Sequence, residues 1–281
     1  MAKKPIIALI YDFDKTLCTD DMQNYSFIPN LGMTPQEFWS ETGKLSEKYQ
    51  IERILSYMYM MVLKCREKGI PLTKEYLTSL GKNITFYRGV ETWFKRINEY
   101  GSSLGFQVEH YIVSSGTKEI IDGCKIASEF KAIFGCEFHY GEDGTAIWPK
   151  NAINYTAKTQ YLFRISKGVL DQTDDAGVNE KQGERRIPYT NMIYFGDGMT
   201  DIPFMILVKN NGGHSIAIYQ EGKKEKVNQL YEDGRVNFVS LADYSKNSDL
   251  EKVVQLIFQK IALNDQLSRK EEKLYTKDRW K

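Results

Sequence analysis

Residues Ile6 to Tyr11 form an unbroken apolar run rich in β-branched side chains, the pattern of a strand buried on both faces. Similar short runs recur at 111–113, 192–195, 215–219 and 236–239. Between them, apolar residues return with helical spacing over 91–100, 118–129, 157–166, 202–208, 223–231 and 249–264. Strands alternating with helices predict an α/β fold in which a parallel sheet is covered on both faces.

Residues 20 to 88 break this alternation. They show helical periodicity without a convincing strand, and they predict a helical insertion placed directly after the first strand. Thr34 before Pro35 marks one helix start, and Thr73 before Lys74-Glu75-Tyr76 marks another. The stripe Tyr57, Met58, Tyr59, Met60, Met61 reads as packing inside that insertion, since Met and aromatic side chains fill cores. Residues 137–140 and 146–148 flank Gly141-Glu142-Asp143-Gly144, a hairpin signature. Residues 167 to 188 are polar and aperiodic and predict a long surface loop. The charged tail after Asn264 either extends the last helix or frays.

The 281 residues are 42% apolar, enough for a sizeable core. Basic residues number 38 and acidic ones 37, so the net charge is +1. A chain this close to neutral has no global field to draw it to nucleic acid or an anionic membrane, and any anion recognition must be local. Cys18, Cys65, Cys124 and Cys136 lack C-x-x-C spacing. They indicate neither a zinc site nor a disulfide framework, and they fit a reducing, cytoplasmic compartment. The apolar run at the start is too short for a secretory leader and meets Asp12 where a cleavage site would stand. No stretch reaches the roughly 18 apolar residues of a membrane span.

Three strand candidates end in small or acidic residues: Asp12-Phe13-Asp14-Lys15-Thr16, Ser114-Ser115-Gly116-Thr117 and Gly196-Asp197-Gly198-Met199-Thr200-Asp201. In a parallel sheet these endings share one edge, the edge where open α/β sheets bind ligands. Carboxylates gathered there need a cation, and an all-oxygen donor set favours Mg²⁺. Ser114 to Thr117, expected at a helix start, offer hydroxyls and amides to a phosphate. Phosphate, Mg²⁺ and carboxylates together indicate phosphoryl transfer. Each motif alone is weak, because aspartate, serine and threonine are common at turns and helix caps and most helical lysines are solvated. Their order along the chain, each after a strand, carries the argument.

These residues resemble the haloacid dehalogenase (HAD) superfamily of hydrolases, in particular its phosphoserine-phosphatase-like group. The family's D-x-D-x-T matches Asp12, Asp14 and Thr16; its Ser or Thr after a strand matches Ser114. Its helical lysine matches Lys158, and its G-D-G-x-x-x-D matches Gly196, Asp197, Gly198 and Asp201. The likeness covers roughly 1–19 and 89–245. It implies a Rossmann-like three-layer core over 1–19 and 89–281, with a helical cap domain at 20–88. It further implies a Mg²⁺-dependent phosphatase with Asp12 as nucleophile and Asp14 as general acid and base. Ser114 would bind the phosphoryl group and Lys158 would offset charge on it. Asp12, the Asp14 backbone carbonyl and Asp197 would hold the metal, and Asp201 would orient Lys158 or a metal-bound water. Ser115, Gly116 and Asp21 are expected to touch the substrate, a small phosphorylated metabolite.

Phosphoserine phosphatases hold the substrate amine with an acid shortly after the first motif, where Asp20 and Asp21 stand, and its carboxylate with a cap arginine. This chain has Tyr59, Met60 and Met61 in the corresponding region, with Arg53 and Arg66 some way off. Two rivals are weaker. A receiver-like signalling module would need neither Asp14 nor the insertion. A dinucleotide enzyme would need a glycine-rich loop where Asp12-Phe13-Asp14 stands.

Overall fold

A computed structural model describes residues 4–181 and 185–278. Seven strands form one sheet: β1 (Ile6–Tyr11), β2 (Gln107–Thr117), β3 (Ala132–Tyr140), β4 (Ala146–Asn151), β5 (Met192–Gly196), β6 (His214–Tyr219) and β7 (Phe238–Leu241). Their spatial order is β4-β3-β2-β1-β5-β6-β7, and every pair is parallel except the β3–β4 hairpin. The chain leaves β1 towards β2 on one side and later returns to its other side as β5. The carboxyl ends of β2, β1 and β5 are therefore neighbours at the switch point, where a crevice opens in such sheets.

Twelve α-helices accompany the strands in the described residues: α1 (Met22–Tyr25), α2 (Phe27–Asn30), α3 (Pro35–Tyr49), α4 (Arg53–Lys68), α5 (Lys74–Leu80), α6 (Val90–Ser103), α7 (Lys118–Asp122), α8 (Ala157–Lys167), α9 (Asp175–Asn179), α10 (Ile202–Asn210), α11 (Glu225–Glu232) and α12 (Asp249–Asp278). Helices α1 to α5 fill the stretch after β1. Thr34 caps α3 in a capping box with Glu37, with Pro35 in the first turn. The Thr73 hydroxyl caps α5 through the Tyr76 amide. The start of α4 has a less familiar cap, the Glu52 carboxylate, which accepts from the amides of Ile54 and Leu55.

Every residue of β1 is buried. At its end Tyr11 stacks on Phe195 with centroids 4.7 Å apart and accepts from Trp93 Nε1 at 2.9 Å. The Tyr11 hydroxyl then donates to His110 Nδ1 at 3.1 Å, which leaves His110 Nε2–H to donate to Asn98 Oδ1 at 3.0 Å. All the donors in this chain point one way, so the residue before Asp12 is held in a single arrangement.

Several expectations need correction. Strand β2 runs on to Thr117 rather than stopping at Val113, and its register with β3 shifts between those residues. Helix α7 ends at Asp122 rather than near 129, because Gly123 lies against α5: a Cβ there would sit 1.8 Å from the Thr78 carbonyl oxygen. A Cβ on Gly81 would be 2.3 Å from the Ile120 carbonyl oxygen, so two glycines weld the end of the insertion to the core. Strand β7 starts two residues later than expected. Asn237 first bonds Ser215 through both its amide and its side chain, which delays the regular ladder. The polar stretch 167–188 contains α9, and buried Arg164 fastens its start by donating to the carbonyls of Asp171 and Gln172. Beyond Asn264, α12 continues to Asp278.

Candidate active site

Asp12 follows β1, and its amide extends the parallel ladder by donating to the Phe195 carbonyl of β5 at 2.8 Å. Lys158, in the first turn of α8, is fully buried. Its ammonium donates to Asp12 Oδ1 at 2.9 Å and Asp201 Oδ1 at 2.6 Å. Asp201, also fully buried, accepts in addition from the Tyr194 hydroxyl at 2.7 Å and from the Gly198 amide at 3.3 Å. Carboxylate oxygens of Asp12, Asp197 and Asp201 lie within 4.8 Å of one another.

At that separation each pair of charges repels by about 3 kcal/mol or more at an effective dielectric near 20. One lysine cannot neutralise three carboxylates. Burial and the Asp201 carboxylate push Asp12 up to about 6 against the pull of Lys158. Burial, Asp201 and Asp12 likewise push Asp197 well above the usual carboxylate range. A hard divalent cation would relieve this excess of negative oxygen, so the donor set fits Mg²⁺. Both Asp201 oxygens are already engaged by Lys158, Tyr194 and Gly198. The carboxylates best able to face a cation are therefore those of Asp12 and Asp197.

Asp14 stands apart from this cluster. Its Oδ1 accepts from the Met22 amide at 2.8 Å, so its carboxyl turns towards α1. Burial, then Asp21 and Asp12, raise it well above the usual range. Ser114 accepts the Gly116 amide at 3.0 Å. Ser115 Oγ and Thr16 Oγ1 are buried and have no partner among the described residues. The Ser114–Thr117 segment closes β2 where its register with β3 is irregular, and Thr117 is the N-cap of α7, so the segment stands at a helix start as expected. The register with β3 shifts here, and the Gly116 amide donates to the Ser114 hydroxyl.

A cavity of about 310 Å³ opens above these groups. It brings together Asp12, Asp14, Asp21, Ser114, Ser115, Gly116, Lys158 and Asp197. Asp201 lies beneath and reaches it through Lys158. Asp20 is not among the lining residues; its Oδ1 accepts the Asp21 amide. A Cβ on Gly116 would meet Met22 Cε at 2.1 Å and Asp14 Oδ2 at 3.0 Å, so a side chain there would fill the space beside Asp14.

The insertion supplies the opposite wall, with Gln23, Trp39, Ile54 and Tyr57. Sequence reasoning missed Lys15, Gln23, Trp39, Ile54 and Tyr194. Lys15 was legible only as the x of D-x-D-x-T, and nothing in the periodicity marks Trp39. Tyr57 is buried as expected, but its hydroxyl crosses to the core and donates to the Ser115 carbonyl at 2.7 Å. Met58, Met60 and Met61 are core residues, whereas Tyr59 is 47% exposed.

No family model matches the chain. A protein of Borreliella burgdorferi described as uncharacterized is 29% identical over 291 residues, covering 93% of this chain and 99% of that one. Among solved structures, a substrate-bound phosphoserine phosphatase superposes with a TM-score of 0.57 at 16% identity, covering 90% of this chain and 99% of the other. A probable phosphoserine phosphatase from Vibrio cholerae gives 0.58 at 11% identity, over 93% and 67%. A HAD family hydrolase from Salmonella enterica serovar Typhi gives 0.54 at 18% identity, over 80% and 66%. What these proteins share with the chain is the α/β fold.

Proposed function

We propose that this chain, built on the fold of HAD hydrolases and phosphoserine phosphatases, is a Mg²⁺-dependent phosphatase of small phosphate monoesters. In this reading residues 1–19 and 89–281 form the catalytic core, and 20–88 form a cap that excludes water from the reacting groups.

The observation that carries the proposal is the contrast between two aspartates two residues apart. Asp12 is paired with a buried lysine at the carboxylate cluster, whereas Asp14 is turned away from that lysine, and burial together with Asp21 and Asp12 raises its affinity for a proton. One suits a nucleophile and the other an acid. An Asp12 carboxylate oxygen attacks phosphorus. The ester P–O bond breaks, and the Asp14 proton goes to the departing alkoxide. Water then attacks the aspartyl-phosphate and gives its proton to Asp14. The bond between phosphorus and the Asp12 oxygen breaks, and inorganic phosphate leaves. Asp12 and Asp197 would hold the Mg²⁺ ion, which supplies positive charge to the phosphoryl oxygens. Lys158, held by Asp201, adds a fixed positive charge beside the nucleophile. The Ser114 and Ser115 hydroxyls bind phosphoryl oxygens. The unpartnered Ser115 Oγ supports this role. Four free, buried cysteines support a reducing, cytoplasmic setting.

A receiver-like module is disfavoured by Asp14, which would have no task there. Release of phosphate from p-nitrophenyl phosphate tests the proposal. Activity should require Mg²⁺, vanish with EDTA and with Asp12→Asn, and fall steeply in Asp14→Asn. A turnover rate for Asp12→Asn close to wild type would remove Asp12 as the nucleophile.

A further inference from the structure

We infer that the outer face of α12 is a self-association surface, on which a second copy of this chain docks antiparallel about a two-fold axis near Asp265. This surface lies away from the cavity of Asp12 and does not depend on the phosphatase reading.

Helix α12 runs from Asp249 to Asp278 and buries one row of side chains against the core, among them Leu250, Val254, Phe258 and Ile261. Leu256, Leu263, Leu267 and Leu274 are instead between 58% and 65% exposed. At ~100° per residue these four leucines fall within ~40° of one another, on the side roughly opposite the buried row. A single surface leucine needs no explanation, but four in one line make a contiguous apolar strip, and such strips mark contact surfaces. Beyond Asp265 the helix leaves the core, and every residue from Gln266 to Leu274 is exposed. A helical stretch this short is marginal in water without a partner.

The spacing of the strip identifies its occupant. The leucines are separated by seven, four and seven residues, the same from either end. An antiparallel copy centred on Asp265 sets Leu256 against Leu274 of the second copy and Leu263 against its Leu267, as in the core layers of a coiled coil. The projecting stretch 266–278 of each copy equals in length the supported stretch 252–264 of the other, and covers its outer face. Such a contact uses the same patch on both copies and closes as a dimer. Opposed helix dipoles favour the same orientation. Lys260 falls opposite Lys270; the Lys260 ammonium is drawn aside to His214 Nε2 at 3.4 Å, and the aliphatic stems of such lysines extend apolar surface. The paired stretch is ~40 Å long and ~10 Å wide, so it covers about 800 Å² over the two copies, the low end for specific interfaces. A reversible dimer with a dissociation constant on the order of micromolar follows. Helix α12 passes Pro5 and Ile6 at the start of β1, the sheet edge opposite Asp12, so pairing here leaves both cavities open.

The test is sedimentation velocity of the full chain from about 1 to about 200 μM, a range that brackets a micromolar constant. The mass should rise from that of one chain to that of two and stop there. Leu263→Glu combined with Leu267→Glu should raise the dissociation constant at least about a hundredfold. The circular dichroism spectrum and the Tm at low concentration should not change, since both side chains already face water. Tyr231→Glu, at a position 57% exposed on α11, should leave association intact. Leu256→Cys and Leu274→Cys should cross-link rapidly on oxidation when mixed, and neither should do so alone. Rapid cross-linking of Leu256→Cys to itself would overturn the antiparallel arrangement. A wild-type chain that stays monomeric throughout, or a dimer that survives Leu263→Glu with Leu267→Glu, would overturn the surface itself. So would a monomer that binds phosphatidylcholine vesicles through the same leucines, because the strip would then belong to a lipid surface.

Discussion

Replacing Lys158 with methionine keeps most of the side-chain volume and removes the charge. The ammonium lies 2.9 Å from Asp12 and 2.6 Å from Asp201. At an effective dielectric near 20 each contact is worth about 6 kcal/mol of attraction, which offsets most of the repulsion among the three carboxylates. Removing one partner of a buried ion pair costs about 3–5 kcal/mol, because the remaining charges stay buried without compensation. For a chain of this size that is a fall in Tm of roughly 5–10 °C without divalent cation. The assay is a thermal melt of Lys158→Met and wild type at pH 7.5, repeated with Mg²⁺ and at pH 5.5. Mg²⁺ should recover part of the loss by binding the folded state alone. Lower pH should also recover part. Asp12 already stands at about 6 with the lysine present; without it the folded value rises further, so the strain is relieved as pH falls through that range. A variant that melts within a degree of wild type, and is indifferent to Mg²⁺ and pH, would refute the account of the cluster.

Three further outcomes are expected. Burial pushes His110 down to about 3 from its ordinary 6.5, so only the unfolded chain takes up its proton between those values. Stability should fall as pH drops below 6.5, by about 2 kcal/mol at pH 5, and His110→Gln should remove that part of the urea-denaturation pH profile. Gly116→Ala should cut kcat/KM by roughly a hundredfold with the circular dichroism spectrum unchanged, since its Cβ would compete with Met22 and crowd Asp14. Gly123→Ala should lower stability by more than about 2 kcal/mol in urea, since the obstacle is the Thr78 backbone rather than a flexible side chain.

The order of chemistry along the chain was legible because it is written at strand ends. The apolar run of β1 followed by Asp12 needs no tertiary knowledge to be read, and the Thr34 capping box is likewise local. The register shift between Val113 and Thr117 was not legible. It depends on how β2 meets β3, and a register shift leaves no mark on the alternation of residue types. Trp39 and Tyr57 hide for a related reason. Each sits on an amphipathic helix where a cavity-lining position and a core position have the same apolar character, and only the placement of the insertion over the sheet separates them. The early end of α7 is set by the glycine contact with α5, a partner more than forty residues upstream.

That contact has a mechanical consequence. With Gly81 and Gly123 pressed against backbone on both sides, the last helix of the roof cannot lift away without tearing core packing. The near end is tied to the core as well, by Tyr57 reaching Ser115 and by the Met22 amide at Asp14. Any displacement of α4 from the sheet would therefore break the Tyr57–Ser115 hydrogen bond and remove one wall of the cavity from the reacting groups.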